Sequence, residues 1–197
     1  AIEAGSRPQL TFPLGEMMRS EVREMARARG LASGRPSQDI CFLEGRDYRS
    51  FLSGRAAALP GEIVDLRGNA LGRHEGLPFY TVGQRHRLRI ALGEPAYVIR
   101  LDAARNQIVI GTAAELAVEA ADLAEVNWLA PPGGDPIDVQ ARIRYRARLA
   151  PAQVSRTPKG ARVRFVEPQR AVAPGQSVVF YAGDTVLGGG VVATTYP

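Results

Sequence analysis

The chain has 197 residues, 45% of them hydrophobic and 23% charged, with a net charge of +5 and a pI near 9.9. That apolar content excludes disorder, the lone cysteine excludes an internal disulfide, and one cysteine with two histidines argues against a structural zinc site. No apolar run reaches the ~18 residues of a spanning helix, and the first ten residues, with Glu3, Arg7 and Pro8, lack a signal-peptide core; the expectation is a soluble, cytoplasmic protein with no membrane partner.

In chain order, the first sixty residues read as helical. Ser20 stands as an N-cap for a helix through Glu21 to Ala28, and Gly30 falls where a C-cap belongs. Met18, Val22, Met25 and Ala26 recur at helical spacing and predict a buried stripe. A Gly-, Ser- and Pro-rich loop over 32–37 follows, then the apolar run Ile40-Cys41-Phe42-Leu43, then a second short helix over 47–52. Two modest helices bury little core alone, so this leader is expected to be the tail of a larger domain whose beginning is missing.

From Pro60 onward turn signals recur about every 8–12 residues, the texture of an all-β domain. The expected strands are 62–66, 79–82, 96–101, 107–110, 126–129, 138–149, 162–166, 177–181 and 186–192. Pro131-Pro132-Gly133-Gly134-Asp135 reads as a break near a domain boundary. The fold class expected is mainly β: two small antiparallel β-barrels after the helical leader, divided as 1–58, 59–123 and 124–197.

Lys159 is the only lysine, and every other basic residue is arginine. Codon bias explains this as well as phosphate binding does, although the planar guanidinium fork matches phosphate oxygens. Placement is more informative. If residues 138–149 form one strand, Arg142, Arg144, Arg146 and Arg148 line one face roughly 6.7 Å apart, with Ile143, Tyr145, Ala147 and Leu149 on the other. Such a row repels itself unless an anion or acidic neighbour faces it; a solvated face and a nucleic-acid contact are both open. A second basic cluster, Gly83-Gln84-Arg85-His86-Arg87-Leu88-Arg89, strengthens the RNA reading. Cys41 is the one reactive-type nucleophile, and burial as an inert small hydrophobe competes with that role. Neither His74 nor His86 has the partners of a metal ligand, so no metal site is expected. Gly188-Gly189-Gly190 lacks the Lys-Ser or Lys-Thr of a phosphate loop and reads as a place where a strand bends or another backbone approaches.

An ordered set of motifs carries a resemblance over nearly the whole chain. It runs from Phe12-Pro13-Leu14-Gly15-Glu16 through Ser37-Gln38-Asp39-Ile40-Cys41-Phe42, Pro60-Gly61-Glu62-Ile63-Val64 and Tyr80-Thr81-Val82-Gly83-Gln84-Arg85. Val126-Asn127-Trp128-Leu129, Ile143-Arg144-Tyr145-Arg146, Ala173-Pro174-Gly175-Gln176 and Leu187-Gly188-Gly189-Gly190 complete it. The chain resembles the C-terminal part of the tRNA-specific 2-thiouridylase family.

That resemblance implies a nucleotide-binding α/β (PP-loop) domain, of which the leader is a remnant, followed by two small β-barrels. It implies ATP-dependent adenylation of C2 of the wobble uridine, followed by transfer of a persulfide sulfur. Cys41 matches the persulfide carrier, Arg144 and Tyr145 a tRNA-contacting pair, and Gln176 a further tRNA contact; Arg142, Arg146 and Arg85 join them from the basic clusters. The implied partners are tRNA, a sulfur-donor protein and the N-terminal catalytic half. ATP, with magnesium, is expected on that half, and no cofactor on this chain. The family's Ser-Gly-Gly-Val-Asp-Ser loop and its second cysteine are absent from these residues, so the chain alone is expected to be inactive. Pro36 stands where an acidic residue is usual, and Arg87 and Arg89 stand where glycines are common. A non-catalytic β-barrel RNA-binding module and a protein-interaction barrel are the competing functions.

Overall fold

The computed structural model describes residues 11–31, 43, 47–53, 58–90, 93–130, 133–145 and 147–197. The chain divides into two compact units, Ala1–Phe51 and Leu52–Pro197.

In the first unit, α1 spans Arg19–Ala28. Its N-cap is Met18 rather than the expected Ser20, because the Glu21 carboxylate reaches back to accept the Met18 N–H at 2.6 Å. At the other end Gly30 takes a φ of 66°, its N–H donates to the Arg27 carbonyl, and the Leu31 N–H donates to Ala26, closing a Schellman motif where a C-cap glycine was expected. The predicted stripe is not buried: no residue of α1 is, and Met18 is 69% exposed. Helix α2 spans Tyr48–Ser53 and is capped by Asp47, whose Oδ1 accepts the N–H groups of Arg49 and Ser50 at 2.9 and 3.1 Å. The bond from the Ser50 hydroxyl, above all, holds that carboxyl below its ordinary range.

The second unit begins with a four-stranded sheet of β1 (Gly61–Val64), β2 (Ala70–His74), β3 (Tyr97–Asp102) and β4 (Gln107–Gly111), in the order β2-β1-β4-β3. It departs from the expected antiparallel barrel, since β1 and β4 run parallel with Ile63 opposite Ile108. The turn between β1 and β2 is tied by Asp65, which accepts from the backbone of Arg67 and Asn69 and from the Asn69 side chain. Ile63, Val98, Ile108 and Ile110 form the core, with Tyr80 and Leu88 packed in from the long connection between β2 and β3. The strand expected at 79–82 does not form. Pro78, which has no N–H and a fixed φ, suits the first turn of a helix, and Leu77–Phe79 make a 3₁₀ turn closed by the Tyr80 N–H on the Leu77 carbonyl.

The remaining strands are β5 (Ala117–Trp128), β6 (Ile137–Arg142), β7 (Ala150–Thr157), β8 (Gly160–Arg170), β9 (Ser177–Ala182) and β10 (Thr185–Tyr196). They close into an antiparallel barrel in the order β10-β5-β8-β7-β6-β9. Its interior holds Leu123, Val139, Val154, Val163, Phe165, Val178, Phe180 and Val192, and Trp128 leans on Phe180 with ring centres 5.6 Å apart. Strand β5 runs from Ala117 to Trp128 across the division expected at 123/124, and residues 133–135 of the expected break lie between β5 and β6 of the barrel. The three glycines act as expected. A Cβ on Gly188 would meet the Asn127 carbonyl at 2.4 Å and one on Gly189 the Val178 carbonyl at 2.5 Å, so β10 lies too close to both neighbours for any side chain.

Candidate nucleic-acid interface

The expected strand over 138–149 ends early. Strands β6 and β7 are neighbours whose last pair is Ala141 with Ala150, so the chain must reverse within 142–149. Pairing with β9 also stops at Arg142 opposite Val179. Ile143 stays buried, and the Ala147 N–H then donates to the Arg144 carbonyl at 3.1 Å to form a turn. Arg142, Arg144 and Arg148 therefore do not form a row on one strand face. The turn instead leaves two consecutive residues exposed: Arg144 is exposed, and Tyr145 is 85% exposed. Strict alternation forbids that pairing, and the turn permits it. Arg142 points elsewhere. Its guanidinium lies 5.3 Å above the Tyr181 ring, and its Nε is buried with no hydrogen-bond partner among the described residues. Arg146 lies outside the described residues, as does Cys41.

The same end of the barrel carries the connection between β8 and β9. The Gln176 N–H donates to the Ala173 carbonyl, while the Gln176 side-chain oxygen accepts the Ala173 N–H at 3.2 Å. The Gln176 carbonyl accepts from Val192 at 2.8 Å. Gln176 is thus half-buried and braces its own turn. Strand β9 starts at Ser177, and its register against β6 puts this turn at the end where Arg144 emerges.

The second basic cluster is a loop with a buried anchor. Leu88 is buried, while Arg85, His86, Arg87 and Arg89 are exposed. Gln84 holds the loop from inside: its oxygen accepts the Thr81 N–H, and its amide nitrogen donates to the His86 carbonyl at 2.9 Å. Backbone bonds from Gly83 to Val98 and from Val98 to Gln84 fasten it to β3. Arg87 and Arg89 take φ of 65° and 55°, the left-handed region that glycine occupies without steric cost.

The two clusters meet at a corner that sequence reasoning missed. A Cβ on Gly83 would lie 2.8 Å from the Ala171 Cβ, so the loop backbone packs against the residue that follows β8. The Ala171 N–H donates to Leu116 at 3.3 Å, fixing the corner to the approach into β5. Arg144 Nη1 donates to the Arg170 carbonyl at 3.4 Å, and the Arg170 guanidinium sits 5.8 Å from the Tyr97 ring centre. Arginine forks beside an exposed tyrosine suit a chain of phosphates carrying a base to stack. No group of His, Cys, Asp or Glu able to hold a metal is found among the described residues. His74 is buried with both nitrogens engaged: Nδ1 accepts the Gly76 N–H at 3.0 Å, so Nε2 carries the proton and donates to the Asn106 carbonyl at 3.0 Å.

Three family models match in succession: a tRNA methyl transferase HUP domain over residues 2–45, a tRNA methyl transferase PRC-barrel domain over 49–112 and an aminomethyltransferase β-barrel domain over 119–192. The chain is 45% identical over 190 residues to the tRNA-specific 2-thiouridylase MnmA of Desulforudis audaxviator, covering 94% of this chain and 55% of that protein. It is 49% identical over 191 residues to the protein of the same name from Roseiflexus castenholzii, covering 94% and 52%. A Roseiflexus sp. protein of that name is 50% identical over 191 residues, covering 94% and 51%. The chain thus spans about half the length of the curated relatives it matches. The matches run in succession through a HUP-domain stretch, the sheet and the barrel, and the chain belongs to the tRNA-specific 2-thiouridylase family.

Proposed function

We propose that this chain serves the 2-thiolation of the wobble uridine of tRNA, as the C-terminal portion of a tRNA-uridine 2-sulfurtransferase. In that reaction the uridine C2 oxygen attacks the α-phosphate of ATP and pyrophosphate leaves. The terminal sulfur of a cysteine persulfide then adds at C2, and AMP departs with the oxygen. A second cysteine attacks the carrier sulfur, leaving a disulfide on the protein and sulfur on the base. Cys41 is the carrier in this reading, loaded by a sulfur-donor protein. The adenylation step has no residues of this chain assigned to it, because the sequence contains no Ser-Gly-Gly-Val-Asp-Ser loop. ATP and its magnesium belong to the N-terminal half of the complete enzyme.

The barrel and sheet hold the tRNA in this reading, and the single observation that carries it is the turn that exposes Arg144 and Tyr145 together. Arg85 extends the contact from the central loop, and Arg146 is assigned to the same turn from its place in the sequence. Gln176 and Arg142 support the surface by bracing its neighbouring turn and strand end. The test is binding of an unmodified tRNA transcript by the 197-residue chain across a salt titration. Salt-dependent binding that weakens several-fold in Arg144→Ala is expected; absence of binding by the unaltered chain would contradict the reading.

A further inference from the structure

We infer that Arg170 is a further RNA-backbone contact, held in place by Tyr97, and that it joins the two basic clusters into one continuous anion-binding surface across the junction of sheet and barrel. The inference rests on the tRNA-binding reading above and adds residues to it. The motif that suggested RNA binding includes neither Arg170 nor Tyr97. Three relationships bring them in. The Arg170 carbonyl accepts from Arg144 Nη1 at 3.4 Å, so the base of one arginine side chain lies at the tip of the other. Ala171, the next residue, abuts Gly83, where the Arg85–Arg89 loop starts. The Arg170 guanidinium, itself exposed, lies 5.8 Å from the ring centre of Tyr97, within reach of a cation–π contact.

The arrangement is informative because the partners come from different elements. Tyr97 opens β3 in the central sheet, whereas Arg170 closes β8 in the barrel. A flexible arginine on a strand end samples many rotamers, and an aromatic face beneath it restricts them. Stacking consumes none of the guanidinium N–H donors, so the fork stays able to grip a phosphate. Tyr97 is therefore a positioning residue and Arg170 the contact. An RNA backbone that crosses from Arg144 to Arg85 passes the corner between them, and Arg170 supplies the positive charge there.

The experiment measures the affinity of the 197-residue chain for an unmodified tRNA transcript over a range of salt concentrations, for the unaltered chain, Arg144→Ala, Arg170→Ala, Arg170→Lys and Tyr97→Leu. Arg170→Ala is expected to bind several-fold more weakly near 0.1 M salt, with a log–log salt slope shallower by roughly 0.7–0.9, one phosphate contact. Arg170→Lys keeps the charge and the slope. Tyr97→Leu also keeps the slope but binds more weakly, a split that a purely structural role would not give. If Arg144→Ala weakens binding while Arg170→Ala matches the unaltered chain in affinity and slope, the assignment of Arg170 is overturned and the tRNA reading stands. If the unaltered chain does not bind the transcript, both fall together. Should Tyr97→Leu fail to fold, the comparison of Arg170→Ala with Arg170→Lys still decides the contact.

Discussion

Arg162 grips both carboxylate oxygens of Asp122, with Nε on Oδ1 at 2.6 Å and Nη2 on Oδ2 at 2.9 Å. The two residues are cross-strand partners on β5 and β8. Tyr196, near the end of β10, donates its hydroxyl to Asp122 Oδ2 at 2.7 Å and lies under the Arg162 guanidinium. One side-chain cluster thus ties three neighbouring strands of the barrel on its outer face.

Asp122→Asn is expected to lower the thermal midpoint near neutral pH. The hydrogen bond from Arg162, then that from Tyr196, holds the Asp122 carboxyl below its ordinary 3.8. A carboxyl with a depressed folded-state pKa contributes its stabilisation fully above the unfolded value and loses it as the pH falls through the folded one. The gap between the unaltered chain and Asp122→Asn should therefore hold steady above about pH 4 and narrow below it. Thermal melts across pH 2.5–7 check this; a gap that does not depend on pH would contradict it.

His74→Leu removes the acceptor of a buried N–H. Gly76 loses its partner on Nδ1 and Asn106 loses the Nε2 donor. An orphaned buried polar group costs about 1–3 kcal/mol, and the edge contact of His74 with Tyr80 is lost as well. Urea unfolding should report an unfolding free energy lower by at least that amount, read as a lower midpoint at unchanged slope. An unchanged midpoint would mean that these bonds are readily replaced.

Arg87→Gly separates stability from binding. Arg87 occupies a left-handed conformation that glycine accepts without strain. Relief of that strain offsets the extra freedom glycine gives the unfolded chain, so stability should stay within about 1 kcal/mol. RNA affinity should still fall, because a charge leaves the basic loop. Denaturation and tRNA binding measured on the same variant check the two halves.

Cys41→Ser should remove the ability of the chain to take up sulfur while leaving tRNA affinity within about twofold. Incubation with a persulfide donor followed by intact mass spectrometry should show one added sulfur atom on the unaltered chain and none on the variant. Equal loading of both would contradict the assignment of Cys41 as carrier.

How much of this was legible follows from particular residues. The barrel strands with β-branched cores announced themselves, as did Gly30 as a helix end and the close backbone approach at Gly188-Gly189. Strand β7 did not, because its buried positions are Ala150, Ala152 and Val154, and Pro151 near its start argues against a strand. The first half of β5 is rich in Ala and carries Glu119 and Asp122, and its strand state comes from the neighbours it joins in closing the barrel. The turn at Arg144–Tyr145 contains no Gly, Pro, Asn or Asp, so the segment reads as strand until the pairing of β6 with β7 forces a reversal. Arg144, Tyr145 and Arg85 entered the proposed surface through motifs. Arg170 and Tyr97 were not, since 73 positions separate them and only the packing of sheet on barrel brings them together.

The most direct test of the tRNA-binding surface is to locate the RNA on it. Zero-length ultraviolet cross-linking of the chain to an unmodified tRNA transcript, followed by protease digestion and mass spectrometry, identifies the residues that touch bases. The account predicts cross-links on Tyr145 and its neighbours in the turn between β6 and β7. Cross-links confined to the opposite end of the barrel, with that turn unlabelled, would contradict it.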